Sequence, residues 1–395
     1  MRKRNDYRLT VKACYLGIVS QAVNVNLTAI LFTTLGEGFG LSFSQLGSLV
    51  FINFSTQVGV ALAFGRIVDR YGFRRFITAA HFVAAAGLWL FAASPFLPVP
   101  AYFAFALTTF VFSFAAGLME VLISPVLNAI PSDEKSGAMS VLHSFYCFGQ
   151  VAVVFGTTLF LQFFGREYWQ IVVALWALLP FAGGILFLIC PIANAPPPEK
   201  QTKLPWRSPV FLSILAIIIF AGAAEITFSQ WSSAFLEISI GLPKITGDLL
   251  GVGTFALMMG AARISYGVLA KKRPINQGSL MRLGALLVTA CYALLAFSHN
   301  PVTALLACAL AGLGVGLLWP GSISLAVGAF PLAGTWMFAI IAAAGNIGSA
   351  AGPQTFGLLA DALDLRTAFM ITAILPFLCA IFIHIFIRAS NSNKK

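Results

Sequence analysis

Charge is what this 395-residue sequence has least of: Asp, Glu, Lys and Arg together make up 9% of it, where soluble globular domains carry about 25%. A shortage that deep excludes an ordinary soluble enzyme, because too little ionic surface remains to face water. Acidic residues are scarcer than basic ones, 13 against 24, for a net charge of +11. Histidine occurs four times and cysteine six times. All six cysteines fall in apolar stretches without a CxxC or His-rich partner, so they read as small core hydrophobes, with no metal site. HExxH, GxSxG and an aspartate pair are also absent, which removes the usual groups of hydrolytic and metal-assisted catalysis. The expectation is a protein that is not an enzyme and needs no cofactor. Polar sequence long enough to form a soluble signalling domain is missing too, which argues against a receptor or scaffold.

Apolar sequence is what is present, at 59%. A helix that crosses a bilayer needs about 20 mostly apolar residues. Stretches bounded by Gly, Pro and charge clusters predict helices near 11–35, 43–65, 76–96, 100–129, 138–164 and 168–191, then near 209–237, 246–270, 279–297, 301–329, 334–360 and 366–388. The fold class is therefore an all-α polytopic membrane protein with twelve spans. All basic residues except Arg166, Lys244 and Arg366 fall on one set of connections and helix ends, while Glu37, Glu167, Glu237, Asp248, Asp361 and Asp364 mark the other. By the positive-inside rule both termini lie in the cytoplasm, as in a bacterial inner-membrane protein. The positive balance is thus a topology signal, with no nucleic-acid partner implied. Arg2 to Arg4 precede an apolar stretch as in a signal peptide, but Gln21, Asn24 and Asn26 interrupt it and no small-residue cleavage pattern follows.

The only long polar connection, IANAPPPEKQTKLPWRS at 192–208, separates residues 1–191 from 209–395, six helices each. The fourth helix of each half ends at a proline, Pro131 and Pro331, 200 residues apart. A duplicated six-helix half marks a transporter with its site near the midplane between the halves.

Two carboxylates lie deep within predicted spans, Glu120 on the fourth and Glu225 on the seventh, and neither has a Lys or Arg at comparable depth. An intramembrane carboxylate is costly unless protonated, paired or wet, so both are candidates for loading and releasing a proton; a protonated structural Glu is the alternative. His143 shares a helix face with Tyr146, Cys147 and Gln150, which suits either a proton relay or a structural donor. His81 and His384 sit on apolar stretches and read as structural. Gln21, Asn24 and Thr28 share a face of the first helix, and Asn53 with Gln57 a face of the second. Asn128, Gln230, Trp231, Trp319, Asn346 and Gln354 complete the candidates. Amides beside aromatic faces suit a neutral, hydroxyl-rich solute, though amides also serve as interhelical glue. Pro125 and Pro320 lie mid-span, and AGNIGSAAGPQTFG at 344–357 brings small residues together, either for rocking or for close packing.

GRIVDRYGFRR at 65–75 resembles the G-x-x-x-D-R-x-G-R-R/K signature of the major facilitator superfamily, placed as there after the second of twelve helices. The matching positions are Gly65, Asp69, Arg70, Gly72, Arg74 and Arg75. The glycines permit a tight turn, Asp69 can cap a helix or pair with Arg, and the arginines can face anionic headgroups. The second-half counterpart, GVLAKKR at 267–273, lacks the Asp. GLMEVLISPVLNAI followed by MSVLHSFYCFGQ, with AEITFSQW and MMGAARISYG, is similar to the fucose:proton symporter branch. That resemblance implies a major facilitator fold of two pseudo-symmetric bundles, a proton-coupling role for Glu120, and inward movement of a neutral sugar or polyol; the protein is expected to act as a monomer. Ser124 stands where the branch has Asn, and Thr28 where it has a second acidic residue. Sodium is an alternative coupling ion. Multidrug or organic-cation:proton antiport within the same superfamily is the alternative function, although the fourth helix holds no Arg or Lys. An anion carrier would want a buried cation, and Arg263, near an inner helix end, comes closest.

Overall fold

The computed structural model describes residues 7–131, 135–193, 205–272, 276–330 and 334–392, with side chains throughout these except at 65–66, 69–71, 135–140, 268, 270–272, 334–336, 338 and 391–392. Among the described residues it contains helices and no strand. The chain runs α1 (Arg8–Ile30), α2 (Phe32–Phe39), α3 (Phe43–Tyr71), α4 (Phe73–Ala93), α5 (Ala101–Asn128), α6 (Lys135–Phe164) and α7 (Trp169–Ile189). It continues as α8 (Pro209–Ile238), the single turn α9 (Lys244–Thr246), α10 (Thr254–Lys272), α11 (Gln277–Phe297), α12 (Pro301–Val315), α13 (Leu318–Ala329), α14 (Gly334–Ala362), α15 (Leu365–Thr372) and α16 (Ile374–Ser392). A π-helical stretch, Gly247–Gly253, joins α9 to α10. Eleven of the resulting spans are long and apolar enough to cross a membrane; α14, 29 residues long, occupies the place of the other expected one.

Local sequence explains where these helices start and break. Ser208 caps α8 by accepting from Phe211 N–H, with Pro209 in the first turn, where its missing N–H costs nothing. Asn300 and Pro301 repeat the device at α12. The tenth span is interrupted at Gly316 and Leu317 because Pro320 cannot supply the N–H that the Gly316 carbonyl would accept. Pro376 does the same to Thr372, and the twelfth span divides there into α15 and α16. Gly72 turns the chain between α3 and α4 at φ +86°, a left-handed conformation open to glycine.

The structure falls into two compact units: residues 1–34 with 52–198, and residues 35–51 with 199–395. Within the first, α1 packs against α5, α6 and α7, and α4 against α5 and α7; within the second, α8 packs against α13, α14 and α16, and α11 against α12 and α16. Counted from the start of each half these are the same neighbour pairs. Pro331 itself lies outside the described residues. In each unit one helix is enclosed by the others, α1 at 83% and α8 at 72% buried, whereas the span containing α15 and α16 is 33% buried and turns its apolar side chains outward.

Candidate functional site

The polar interior of the first unit is a ladder of amides. Gln21 Nε2 donates to Gln57 Oε1 at 2.9 Å, Gln57 donates on to Asn53 Oδ1, and Asn53 Nδ2 donates to the Asn24 backbone carbonyl at 2.8 Å. All four side chains are buried. The helix positions read from sequence thus do converge, across α1 and α3. Gln21 Oε1 and Asn24 Oδ1 are left without a partner, and an unmet buried acceptor costs about 1–3 kcal/mol. Gly117 brings α5 against this ladder: a Cβ there would lie 2.9 Å from Gln57 Cα. Met119, whose sulfur faces Asn24 Nδ2 at 3.9 Å, and the half-buried Glu120 follow on the same helix. Asn26 reaches Tyr146 Oη at 3.4 Å. Thr28 and Gln150 are buried, whereas Asn128 and His143 are exposed.

The second unit holds the other carboxylate, and here the structure corrects the sequence reading: Glu225 has a cation beside it. Arg263 Nη2 lies 3.8 Å from Glu225 Oε1. The guanidinium is anchored, because Arg263 Nε donates to the Gly316 carbonyl at 3.1 Å, the carbonyl that Pro320 leaves free. At 3.8 Å the ion pair is too long to be a hydrogen bond, and Glu225 Oε2 has no partner. Trp319, three residues past Gly316, lays its indole against Gly345 on α14, where an added Cβ would lie 2.5 Å from the ring, and near Gly222 on α8, where it would lie 3.2 Å away. Asn346 and Gln230 are buried, and Gln354 is half-buried with its Oε1 unpartnered.

Trp231 is fully enclosed. Its Nε1 donates to the Pro353 carbonyl at 3.1 Å, and its ring stacks on Phe356 at 4.9 Å. Of the two histidines on apolar stretches, His81 Nδ1 lies 2.7 Å from the Ile77 carbonyl while its Nε2 has no partner, and His384 Nδ1 lies 2.9 Å from Arg282 Nη1. All six cysteines are buried and unbridged. Of the GRIVDRYGFRR motif, the side chains of Gly65, Asp69 and Arg70 lie outside the described ones. Arg74 does not reach toward headgroups: its guanidinium bonds the carbonyls of Phe187, Leu188 and Cys190, closing the C-terminal end of α7. Arg75 is exposed.

Sequence reasoning missed a further buried cluster. Lys244 Nζ pairs with Asp248 Oδ2 at 3.2 Å and faces Glu237 Oε2 at 3.9 Å, and Ser233 donates to Asp248. These residues read as surface charges of a connection. The signal available was the i, i+4 spacing of Lys244 and Asp248.

Comparison with known proteins fits this architecture. The chain resembles, at TM-score 0.78 and 13% identity over 97% of both chains, a bacterial homolog of the human lysosomal transporter Spinster in its inward-facing and occupied conformation. The unoccupied form of that homolog gives a TM-score of 0.75 at 12% identity over 98% of both chains. A mutant of the nucleoside transporter NupG gives 0.73 at 15% identity, over 96% of this chain and all of the other. Curated protein sequences return no match. The sequence profile of the Major Facilitator Superfamily matches residues 14–338, and the chain therefore belongs to that superfamily as a membrane transporter.

Proposed function

We propose that the protein moves a small, neutral, hydroxyl-rich solute, a sugar or related polyol, inward with a proton by alternating access, acting as a monomer. The amide ladder of the first unit carries this reading: three uncharged side chains bonded in series onto the Asn24 backbone carbonyl, with two buried acceptors still unmet, Gln21 Oε1 and Asn24 Oδ1. Unmet acceptors and no formal charge suit a ligand that brings hydroxyl donors. Nucleosides share that chemistry, and the resemblance to NupG puts them on the list to be tested. Glu120 carries the proton, and Glu225 with Arg263 forms a second polar centre. Export of organic cations is the weaker reading, because a guanidinium already faces Glu225.

The test is the external pH of de-energised, weakly buffered cells that express the protein, as neutral sugars, polyols and nucleosides are added singly. One solute should alkalinise the medium, and Glu120→Gln should abolish the response. Silence across the panel would overturn proton symport of a neutral solute.

A further inference from the structure

We propose that Asp361 is the clasp of a gate, at the end of the second unit that the charge pattern assigns to the outside. The inference rests on the transporter reading for its purpose, but on geometry for its parts. Asp361 lies in the last turn of α14, where the helix dipole disfavours a carboxylate, so its own helix gains nothing from it. Its oxygens serve α3 instead: Phe43 N–H donates to Oδ1 at 2.8 Å and Ser44 N–H to Oδ2 at 2.7 Å. These are amides of the first turn, which have no acceptor within their own helix. Gln45 N–H is taken by Ser42 Oγ at 3.3 Å, and Gln45 Oε1 returns the bond to Ser42 N–H at 3.0 Å. The start of α3 is therefore fully satisfied only while Asp361 is in place.

Beneath the clasp the two helices touch backbone to backbone. Gly357 admits the Phe43 carbonyl, and a Cβ on Gly47 would lie 2.9 Å from the Pro353 carbonyl. Trp231 forms the floor, bonded to that same carbonyl and edge-on to Phe43 at 5.9 Å. Residues 35–51 consequently group with the second unit, while α3 from Ile52 onward groups with the first. The carboxylate that tops this contact is exposed, so water can replace its bonds when the helices part, which is what a reversible closure requires.

The experiment needs no solute. Gln354→Cys places a thiol under the clasp, since Gln354 Cα lies 3.3 Å from the Cβ position of Gly47, and the six native cysteines are buried. In intact cells, Asp361→Asn should raise its labelling by a membrane-impermeant maleimide about three- to tenfold, the range expected for losing charge-assisted bonds at an exposed helix start. Ser44→Pro deletes one donor at a first-turn position that tolerates proline. It should act in the same direction and add little in the double variant. Unchanged rates in both correctly folded single variants overturn the proposal. If Asp361→Asn does not fold, Ser44→Pro with the carboxylate intact decides alone. A rise seen only in inside-out vesicles overturns the assignment to the outside. A silent solute panel, by contrast, leaves the labelling result standing.

Discussion

Removing Arg263 strands two groups at once, the Glu225 carboxylate and the Gly316 carbonyl, both of which the guanidinium faces. Removing the charge of Glu225 strands only a cation that keeps its backbone anchor. The costs should therefore be unequal. Arg263→Ala should lower the stability of the second unit, and Glu225→Gln should lower it by less. The double variant Arg263→Met with Glu225→Gln should recover most of the loss. Thermal midpoints of the purified proteins in detergent check this, and additive losses would mean that the two side chains do not sense each other. The pair also marks where the sequence stops being readable at this scale. Both residues are visible, but Arg263 looks too far toward its helix end to matter. What brings it into range is a long side chain and a carbonyl set free by Pro320 on another helix. The Gln21, Asn24, Asn53 and Gln57 cluster was readable, since helical spacing alone aligns those amides.

Among the elements, α8 and α14 make the closest seam of the second unit. Gly222, Gly345, Gly348 and Gly352 each meet the facing helix or Trp319 where a Cβ would stand. At Gly348 the obstacle is the Ile219 carbonyl, which is backbone and cannot turn aside. Gly348→Ala should therefore push the helices apart and lower the thermal midpoint or abolish folding. Gly59→Ala on α3, where nothing lies within 4 Å, should be neutral or gain up to about 1 kcal/mol from helix propensity. Equal behaviour of the two variants would contradict the seam. Helix existence was legible because span length and apolar content determine it, and the starts at Ser208 and Asn300 follow from cap chemistry. The π-helical entry to α10 carries no such mark in one-dimensional pattern. Two carboxylates at helix ends add a pH dependence. Partial burial raises the Asp361 carboxyl, but bonds from Ser44, Ser42 and Phe43 outweigh it and hold it below its ordinary 3.8. Bonds from Thr367, with the Arg366 amide and charge, hold Asp364 low at the start of α15. Groups depressed in the folded state stabilise it above their unfolded value and lose that contribution as pH falls through the folded one. Amide protection at the first turns of α3 and α15 should be constant near neutrality and fall only below about pH 4. Loss beginning near pH 6 would point to another group.

For the whole molecule, the proposed orientation turns on three basic residues that break the charge pattern, and two of them are occupied structurally. Lys244 is enclosed with Asp248, and Arg366 closes helix ends by bonding the carbonyls of Ala296, Ser298 and Ser239. Neither presents a free cation to a membrane surface, so the exceptions weaken the pattern less than their number suggests. In the proposed cycle the proton enters with the solute, and a membrane potential negative inside drives it inward. Each charge moved gains about 2.3 kcal/mol per 100 mV, roughly fiftyfold in concentration ratio. A carboxyl that must be neutral for the loaded carrier to rock and charged for it to reset links solute to proton; an amide at that position is always neutral. Glu120→Gln should therefore still exchange labelled solute across the membrane while losing net accumulation against a gradient. Proteoliposomes preloaded with unlabelled solute measure the first, and the same vesicles under an imposed potential measure the second. Loss of both would make Glu120 a binding or folding residue. Retention of both would place proton transfer elsewhere, with Glu225 and Arg263 the next pair to substitute.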